Sequence, residues 1–249
     1  MNLTASPTGA PQPWRTQLIT GLWQGLAAGL VLTAAALPLV LPHPRSLSVP
    51  AEHAAALPRH ADFGATAPAP EVRQVANWVA QSGDAGANGY LIVDKKNARL
   101  YVFDAQSHLQ GNSTVLLGLT PGDDLPPLAG STPLSKIHAA QRTTPAGRFD
   151  AQRGHDDRGD EVVWVDYAAA LAMHRVHEVN AGENRLARLD SADVAEKRIS
   201  YGCINVPAAF FDQFIHPLFA QRRAMIYVLP EVKPLGAVFK LGGATHRTT

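Results

Sequence analysis

Along the 249 residues of the chain the spacing of apolar positions changes several times, and each change marks a different element. From Leu18 to Leu37 the sequence reads LITGLWQGLAAGLVLTAAAL, without a charge or a proline. At about 1.5 Å of rise per residue such a run crosses a bilayer core as a helix. Arg15 flanks its start, and Pro38 and Pro42 end it. Three readings are open: an uncleaved signal anchor, a cleaved signal peptide, or a buried core helix. The long polar leader and the lack of a small-x-small site directly after the run favour the anchor, while Ala54 to Ala56 leave cleavage open. Segment 18–42 is therefore expected in the membrane, with the tail 1–17 disordered and cytoplasmic. Gly21, Gly25 and Gly29 share one face of that helix, a spacing that permits helix–helix self-association in lipid, although small residues are common in such helices anyway.

The stretch 43–70 has little periodicity and much Pro, Ala and His, and reads as a linker. Val72, Val75 and Val79 then fall at helical spacing within Glu71–Gln81, so 71–87 is assigned to a leading helix. Tyr90–Asp94 and Arg99–Phe103 are β-branched and aromatic runs on either side of a polar Asn-containing turn, the pattern of a hairpin. Strand-like runs follow at Ser113–Leu119, Val162–Tyr167, Ala170–Val176 and Ala224–Leu229. Pro207–Phe219 reads as a helix that covers a sheet, with Pro at its start. A mainly β domain is thus expected over 88–232, with one or two short helices, followed by a C-terminal tail at 233–249 whose end, 242–249, is read as loose.

Composition narrows the function. The net charge is +1 and no stretch is dense in Lys and Arg, which argues against a nucleic-acid partner. One cysteine, Cys203, excludes an internal disulfide and any zinc site built from two thiolates. There is no Gly-x-Gly-x-x-Gly after a strand and no phosphate loop, so no cofactor is expected. Cys203 itself lies in Arg198-Ile-Ser-Tyr-Gly-Cys-Ile-Asn-Val-Pro, between a loop and the expected helix. A helix N-terminus there would favour the thiolate, and Gly202 would let main-chain N–H groups approach an oxyanion. A lone cysteine is also common core filler, so the reading depends on finding a base.

His43, His53 and His60 fall in the linker and His246 in the tail, while His108, His138, His155 and His216 have no motif around them. His174 follows the apolar run Ala170-Leu-Ala-Met and is the preferred base. His177, three residues on, points to the opposite face if the strand continues, and is held in reserve. A zinc pair would need a helix and a third ligand, so no metal is expected.

Three elements now stand in order: Thr144-Pro145-x-Gly147-x-Phe149, then Met173-His174 at a strand end, then Ser200-Tyr-Gly-Cys203-Ile-Asn205. Together they resemble the L,D-transpeptidase catalytic domain, also called the YkuD domain, over roughly Tyr90 to Pro230. The resemblance implies a mainly β sandwich or barrel, here preceded by the membrane helix and linker, and a cysteine enzyme acting on peptidoglycan stem peptides. It implies Cys203 as nucleophile, His174 as base, main-chain N–H groups at Tyr201 to Cys203 as the oxyanion hole, and Ser200 and Asn205 as residues that shape the site. Such an enzyme would sit in the bacterial cell envelope, anchored in the inner membrane with the domain in the periplasm, or secreted if the leader is cleaved. A single unpaired cysteine suits that oxidising compartment.

Two departures stand out. Tyr201 replaces the His or other polar residue of many relatives, and the 29-residue interval from His174 to Cys203 is longer than in many. The extra stretch, Ala181 to Lys197, carries Arg185, Arg188, Asp190, Asp193, Glu196 and Lys197, and is read as a solvated lid in preference to an acceptor site. A second stem, water or a lipoprotein lysine could resolve the thioester, giving a transpeptidase, an L,D-carboxypeptidase or a lipoprotein-linking or -releasing enzyme. A non-catalytic, membrane-tethered wall-binding module is the competing class. A papain-like hydrolase is disfavoured because His174 precedes Cys203.

Overall fold

In the computed structural model of the chain, the described residues are 59–125, 132–133, 136–178, 180–220 and 223–241. Helix α1 (Pro70–Ser82) has Pro at its first position and ends at Gly83, whose left-handed φ of 67° lets its N–H bond back to the Val79 carbonyl. Strands β1 (Tyr90–Asp94) and β2 (Arg99–Phe103) form the expected hairpin, and β3 (Leu109–Thr114) pairs next to β2. Then come β4 (Leu117–Gly118), β5 (Gly147–His155), β6 (Glu161–Asp166), β7 (Leu171–Arg175), β8 (Arg198–Ser200), β9 (Ile204–Val206) and β10 (Ala224–Val228). The main sheet runs β3-β2-β1-β10-β5-β6-β7-β9.

The two ends of that order meet. Leu116, just past β3, exchanges both main-chain hydrogen bonds with Asn205 of β9, each at 2.9 Å, and β4 pairs with β8 alongside. The sheet is thereby bent into a nearly closed barrel, which leaves little of the unpaired edge that an open sheet exposes. Among the described residues the protein is mainly β with few helices, as expected.

One face of the sheet looks into a core of Leu91, Val93, Leu100, Val102, Val163, Val165, Met173, Ile204, Ile226 and Val228. A helical run stops one side of this core: α3 (Ala208–Phe210), a π turn at Phe211–Ile215, and α4 (His216–Phe219), which insert Phe211, Ile215 and Phe219. The opposite face of β1, β2 and β10 is covered by α1, where Val72, Val75 and Val79 pack on Tyr90, Ile92, Tyr101 and Tyr227. β1 is buried on both faces and accordingly lacks alternation. Among the described residues no long helix like α1 covers the outer face of β5, β6, β7 and β9, and the candidate site lies there.

Several boundaries differ from expectation. Ala61 and Phe63, within the stretch read as linker, are buried in the α1 cluster. Past residue 232, within the stretch assigned to a C-terminal tail, α5 (Leu235–Val238) and the buried Phe239 pack on the same cluster, while the part expected to be loose, 242–249, lies outside the described residues. The expected strand Ser113–Leu119 is broken in two, β3 ending at Thr114 and β4 beginning at Leu117, because the chain leaves β2 there to reach β8 and β9. The anchor segment 18–42, with Gly21, Gly25 and Gly29, lies outside the described residues. Among the described residues no helix is long and apolar enough to cross a membrane.

Candidate active site

Parallel pairing of β7 with β9 sets the site. Met173 is opposite Ile204 and His174 opposite Asn205. Met173 and Ile204 both enter the core, so alternation sends His174 and Asn205 to the outer face, together with Cys203, two residues before Asn205. Cys203 and His174 are therefore diagonal neighbours on one face.

The strand end at Arg175 changes the expectation for His177. Alternation stops there, and the chain folds back so that the His177 ring stacks on the His174 ring, centroids 5.8 Å apart and planes 21° apart. Both candidate bases thus share one side of the site. His174 Nδ1 donates to the Arg175 carbonyl at 2.7 Å. A carbonyl only accepts, so Nδ1 carries the proton and the free lone pair of the neutral ring is on Nε2. Burial holds this imidazole below its ordinary pKa; the Arg175 carbonyl opposes that, and the nearby His177 and Arg185 reinforce it.

Cys203 is partly exposed, and its thiol donates to the Ala170 carbonyl at 3.8 Å, with no thiol–imidazole hydrogen bond in this resting geometry. Burial of the sulfur pushes its pKa above the ordinary value, against the Ala172 N–H and the Arg185 charge, which favour the thiolate. The expected helix-terminus activation does not operate: Cys203 leads into strand β9, and the helical run starts only at Ala208. The resting pair is neutral thiol and neutral imidazole.

The main chain around the sulfur is held from several sides. Gly202 has φ 132°, and a Cβ there would lie 2.8 Å from the Thr143 carbonyl, so only glycine fits. The Thr144 hydroxyl donates to the Gly202 carbonyl at 2.8 Å and accepts the Gly118 N–H at 2.9 Å. Ser200 Oγ donates to the Cys203 carbonyl at 2.6 Å and accepts the Gly202 N–H at 3.1 Å. That N–H, one of the three expected at an oxyanion, is therefore engaged by Ser200. Asn205 Nδ2 adds a second donor to the Cys203 carbonyl at 3.2 Å. The Tyr201 ring turns away to lie under the Arg142 guanidinium, 4.0 Å from its centroid.

The stretch 181–197 is an anchored part of the wall of the site, not a solvated lid. It contains α2 (Arg185–Asp190) between two 3-10 turns, and Leu189 is buried with Leu116 and Val176. The Lys197 ammonium donates to the carbonyls of Arg188 at 3.2 Å, of Leu189 at 3.0 Å and of Ser191. Arg185 reaches inward: Nη1 donates to Asn205 Oδ1 at 2.6 Å, and Nε pairs with Glu183 at 2.6 Å. Its charge acts on both the thiol and the imidazole. Sequence reasoning gave Arg185 no role, because no spacing ties it to Asn205.

A buried ionic cluster behind the site was also missed. Lys95 Nζ contacts Asp123 Oδ1 and the Thr144 carbonyl, each at 2.8 Å, the Gly122 carbonyl, and Glu231 at 3.5 Å. Arg198 pairs with Glu231 and donates to the Lys95 carbonyl at 2.8 Å. The cluster fixes the residue that fixes Gly202, since Lys95 holds Thr144 by its carbonyl. Among the described residues no group of three His, Cys, Asp or Glu could hold a metal ion.

No protein-family model matches the chain, and no curated protein matches it. Solved structures do. The L,D-transpeptidase from Mycobacterium smegmatis is 16% identical over 57% of this chain and 59% of that one, with a TM-score of 0.35. The helical cell shape determining protein Pgp2 from Campylobacter jejuni is 12% identical over 66% and 57%, at 0.38. A fused Zn-dependent amidase/peptidase/peptidoglycan-binding domain-containing protein from Clostridium acetobutylicum is 18% identical over 65% and 63%, at 0.33. The chain spans less than two thirds of each of these proteins.

Proposed function

We propose that this chain is a cysteine acyltransferase of the cell envelope that acts on peptidoglycan tetrapeptide stems, with Cys203 as nucleophile and His174 as base. The observation that carries the reading is the β7–β9 register. It puts the Cys203 thiol and an imidazole with a free Nε2 on one face of the sheet, beside the wall formed by 181–197, and the Cys203 carbonyl is pinned by two side chains. The motif resemblance supplies the substrate.

In the acylation step the Cys203 sulfur attacks the carbonyl between the L-centre of diaminopimelate and D-alanine, and its proton passes to His174 Nε2. The oxyanion is met by N–H groups of Cys203 and Tyr201. Collapse breaks the C–N bond, the proton on His174 goes to the departing amine, and a thioester remains. An amine of a second stem, or water, then displaces Cys203 with His174 as base again. The free Nε2 has to turn toward the sulfur when substrate displaces the Ala170 contact.

The raised pKa of Cys203 and the missing thiol–imidazole bond favour one second reading, a wall-binding module without turnover. The full chain, incubated with a disaccharide-tetrapeptide beside Cys203→Ala and His174→Ala and analysed by mass, separates the two. Loss of D-alanine with a dimer or an added water, in wild type alone, establishes the enzyme and names the acceptor. Retained binding to sacculi with no product overturns it.

A further inference from the structure

On the outer face of β5 and β6 lies a groove of about 360 Å³, lined by Arg148, Gln152, Trp164, Asp166, Tyr167 and Arg223. We propose that it is a saccharide subsite that takes the glycan ring bearing the stem peptide, an inference that rests on the peptidoglycan reading above.

The lining has the composition that sugars select. A pyranose offers an apolar C–H face and a rim of hydroxyls, and it is bound by an aromatic surface flanked by fixed polar groups. Tyr167 is 73% exposed and stands edge-on to Trp164, with ring centroids 5.2 Å apart and planes at 80°. The indole lies close over β5 because residue 154 is glycine: a Cβ there would come within 2.6 Å of the Trp164 ring. The polar groups are already oriented. Arg223 pairs with Asp150 at 2.9 Å and donates to Gln152 Oε1 at 3.1 Å, and Arg148 pairs with Asp84 at 2.6 Å. Holding them in place beforehand lowers the entropic cost of binding. Both charge signs are present, which fits a neutral polyhydroxyl compound better than a phosphate.

The position relative to Cys203 matches the substrate. Trp164 is opposite Gln152 on one side and Ala172 on the other, and Ala172 precedes by one residue the Met173 that faces Ile204. Trp164, Ala172 and Cys203 thus lie on one rung of the outer face. Two strand spacings put Trp164, the near wall of the groove, about 10 Å from Cys203, with Gln152 one spacing further. Three stem residues separate the sugar from the carbonyl attacked, and extended they also cover about 10 Å. The loop between β6 and β7 joins the two places physically: Tyr167 stands at one end, and the Ala170 carbonyl, which receives the thiol, at the other.

The test uses the full chain and the peptide-free disaccharide of N-acetylglucosamine and N-acetylmuramic acid. Equilibrium dialysis is expected to show saturable binding, weakened about tenfold or more in Tyr167→Ala and Gln152→Ala, which is a loss of about 1.4 kcal/mol. Both positions are exposed, so the variants fold. In turnover, wild type is expected to prefer disaccharide-tetrapeptide over free tetrapeptide, and both variants to lose that preference while keeping their rate on the free peptide. Failure of the disaccharide to bind wild type, or a preference that survives both substitutions, overturns the subsite. Saturable binding with no turnover of either substrate supports the subsite and sinks the transpeptidase reading alone.

Discussion

Thr144 and Gly202 are 58 positions apart in sequence and are joined by one buried hydrogen bond, in which the threonine hydroxyl donates to the glycine carbonyl at 2.8 Å. The same oxygen accepts the Gly118 N–H, so a single side chain ties the β4 strand to the loop that carries Cys203.

Thr144→Val keeps the volume and removes the oxygen, leaving a buried N–H unpaired. A loss of about 1–3 kcal/mol in stability is expected, measured by urea unfolding. A fall in kcat larger than any change in KM is expected with it. Thr144→Ser, which restores the oxygen, is expected to recover most of kcat; a serine variant as slow as the valine variant would show that the bond does not position Cys203.

Alkylation by iodoacetamide reports the thiolate. Because burial raises the Cys203 pKa, the rate is expected to keep climbing beyond pH 9 without a plateau near neutrality. Removing the Arg185 charge in Arg185→Gln takes away a group that favours the thiolate, so its curve is expected to shift further to alkaline pH. A neutral-pH plateau would mean a pre-formed ion pair and a different mechanism.

As the proposed base His174 acts in its unprotonated form, and its environment holds its pKa below 6.5. The acid limb of kcat/KM is therefore expected below pH 6.5. The same shift has a stability consequence: a histidine with a depressed folded pKa favours the folded state above its unfolded value, and that contribution is lost as pH falls through the folded one. His174→Gln is expected to flatten thermal stability over that window while abolishing turnover.

Asp123 is buried, which by itself raises its pKa, but the Lys95 ammonium and the N–H groups of Lys233, Glu231 and Val232 outweigh this and bring it down from 3.8 to about 2. The folded state thus binds fewer protons than the unfolded one, and stability present above pH 3.8 is expected to drain away toward pH 2, by roughly 2 kcal/mol. In Asp123→Asn the melting temperature is expected to start lower at pH 7 and to fall less over that window. Lys95→Met, which leaves two carboxylates without their ammonium, is expected to cost about 3–5 kcal/mol.

Legibility in the sequence followed the local physics. β1, β2, β6, β7 and β10 are runs of apolar and β-branched residues, and each was found within a few residues of its ends. β5 was missed although it is the longest strand of the sheet, because Arg148, Asp150, Gln152 and Arg153 are exposed and charged or polar, and only Phe149 and Ala151 pack on the core. β9 is three residues long and exists through its pairing with β7 and Leu116, which no local pattern announces. At the site, the cysteine motif and the strand-end histidine could be picked out. The return of His177, the reach of Arg185 and the Lys95 cluster depend on contacts between residues tens of positions apart. The thiol pKa differs from expectation because the short strand β9 separates Cys203 from the helical run, which starts at Ala208, next to the expected Pro207.

Asn205 belongs at once to the seam that closes the barrel and to the cradle of Cys203: its main chain pairs with Leu116, and its side chain bridges the Cys203 carbonyl and Arg185. Fold integrity and reactivity therefore have a common weak point. A perturbation that lets the seam breathe, whether heat, denaturant or a substitution in the neighbouring Leu116 cluster, would silence the thiol while the rest of the barrel stays folded. Inactivation would then precede global melting.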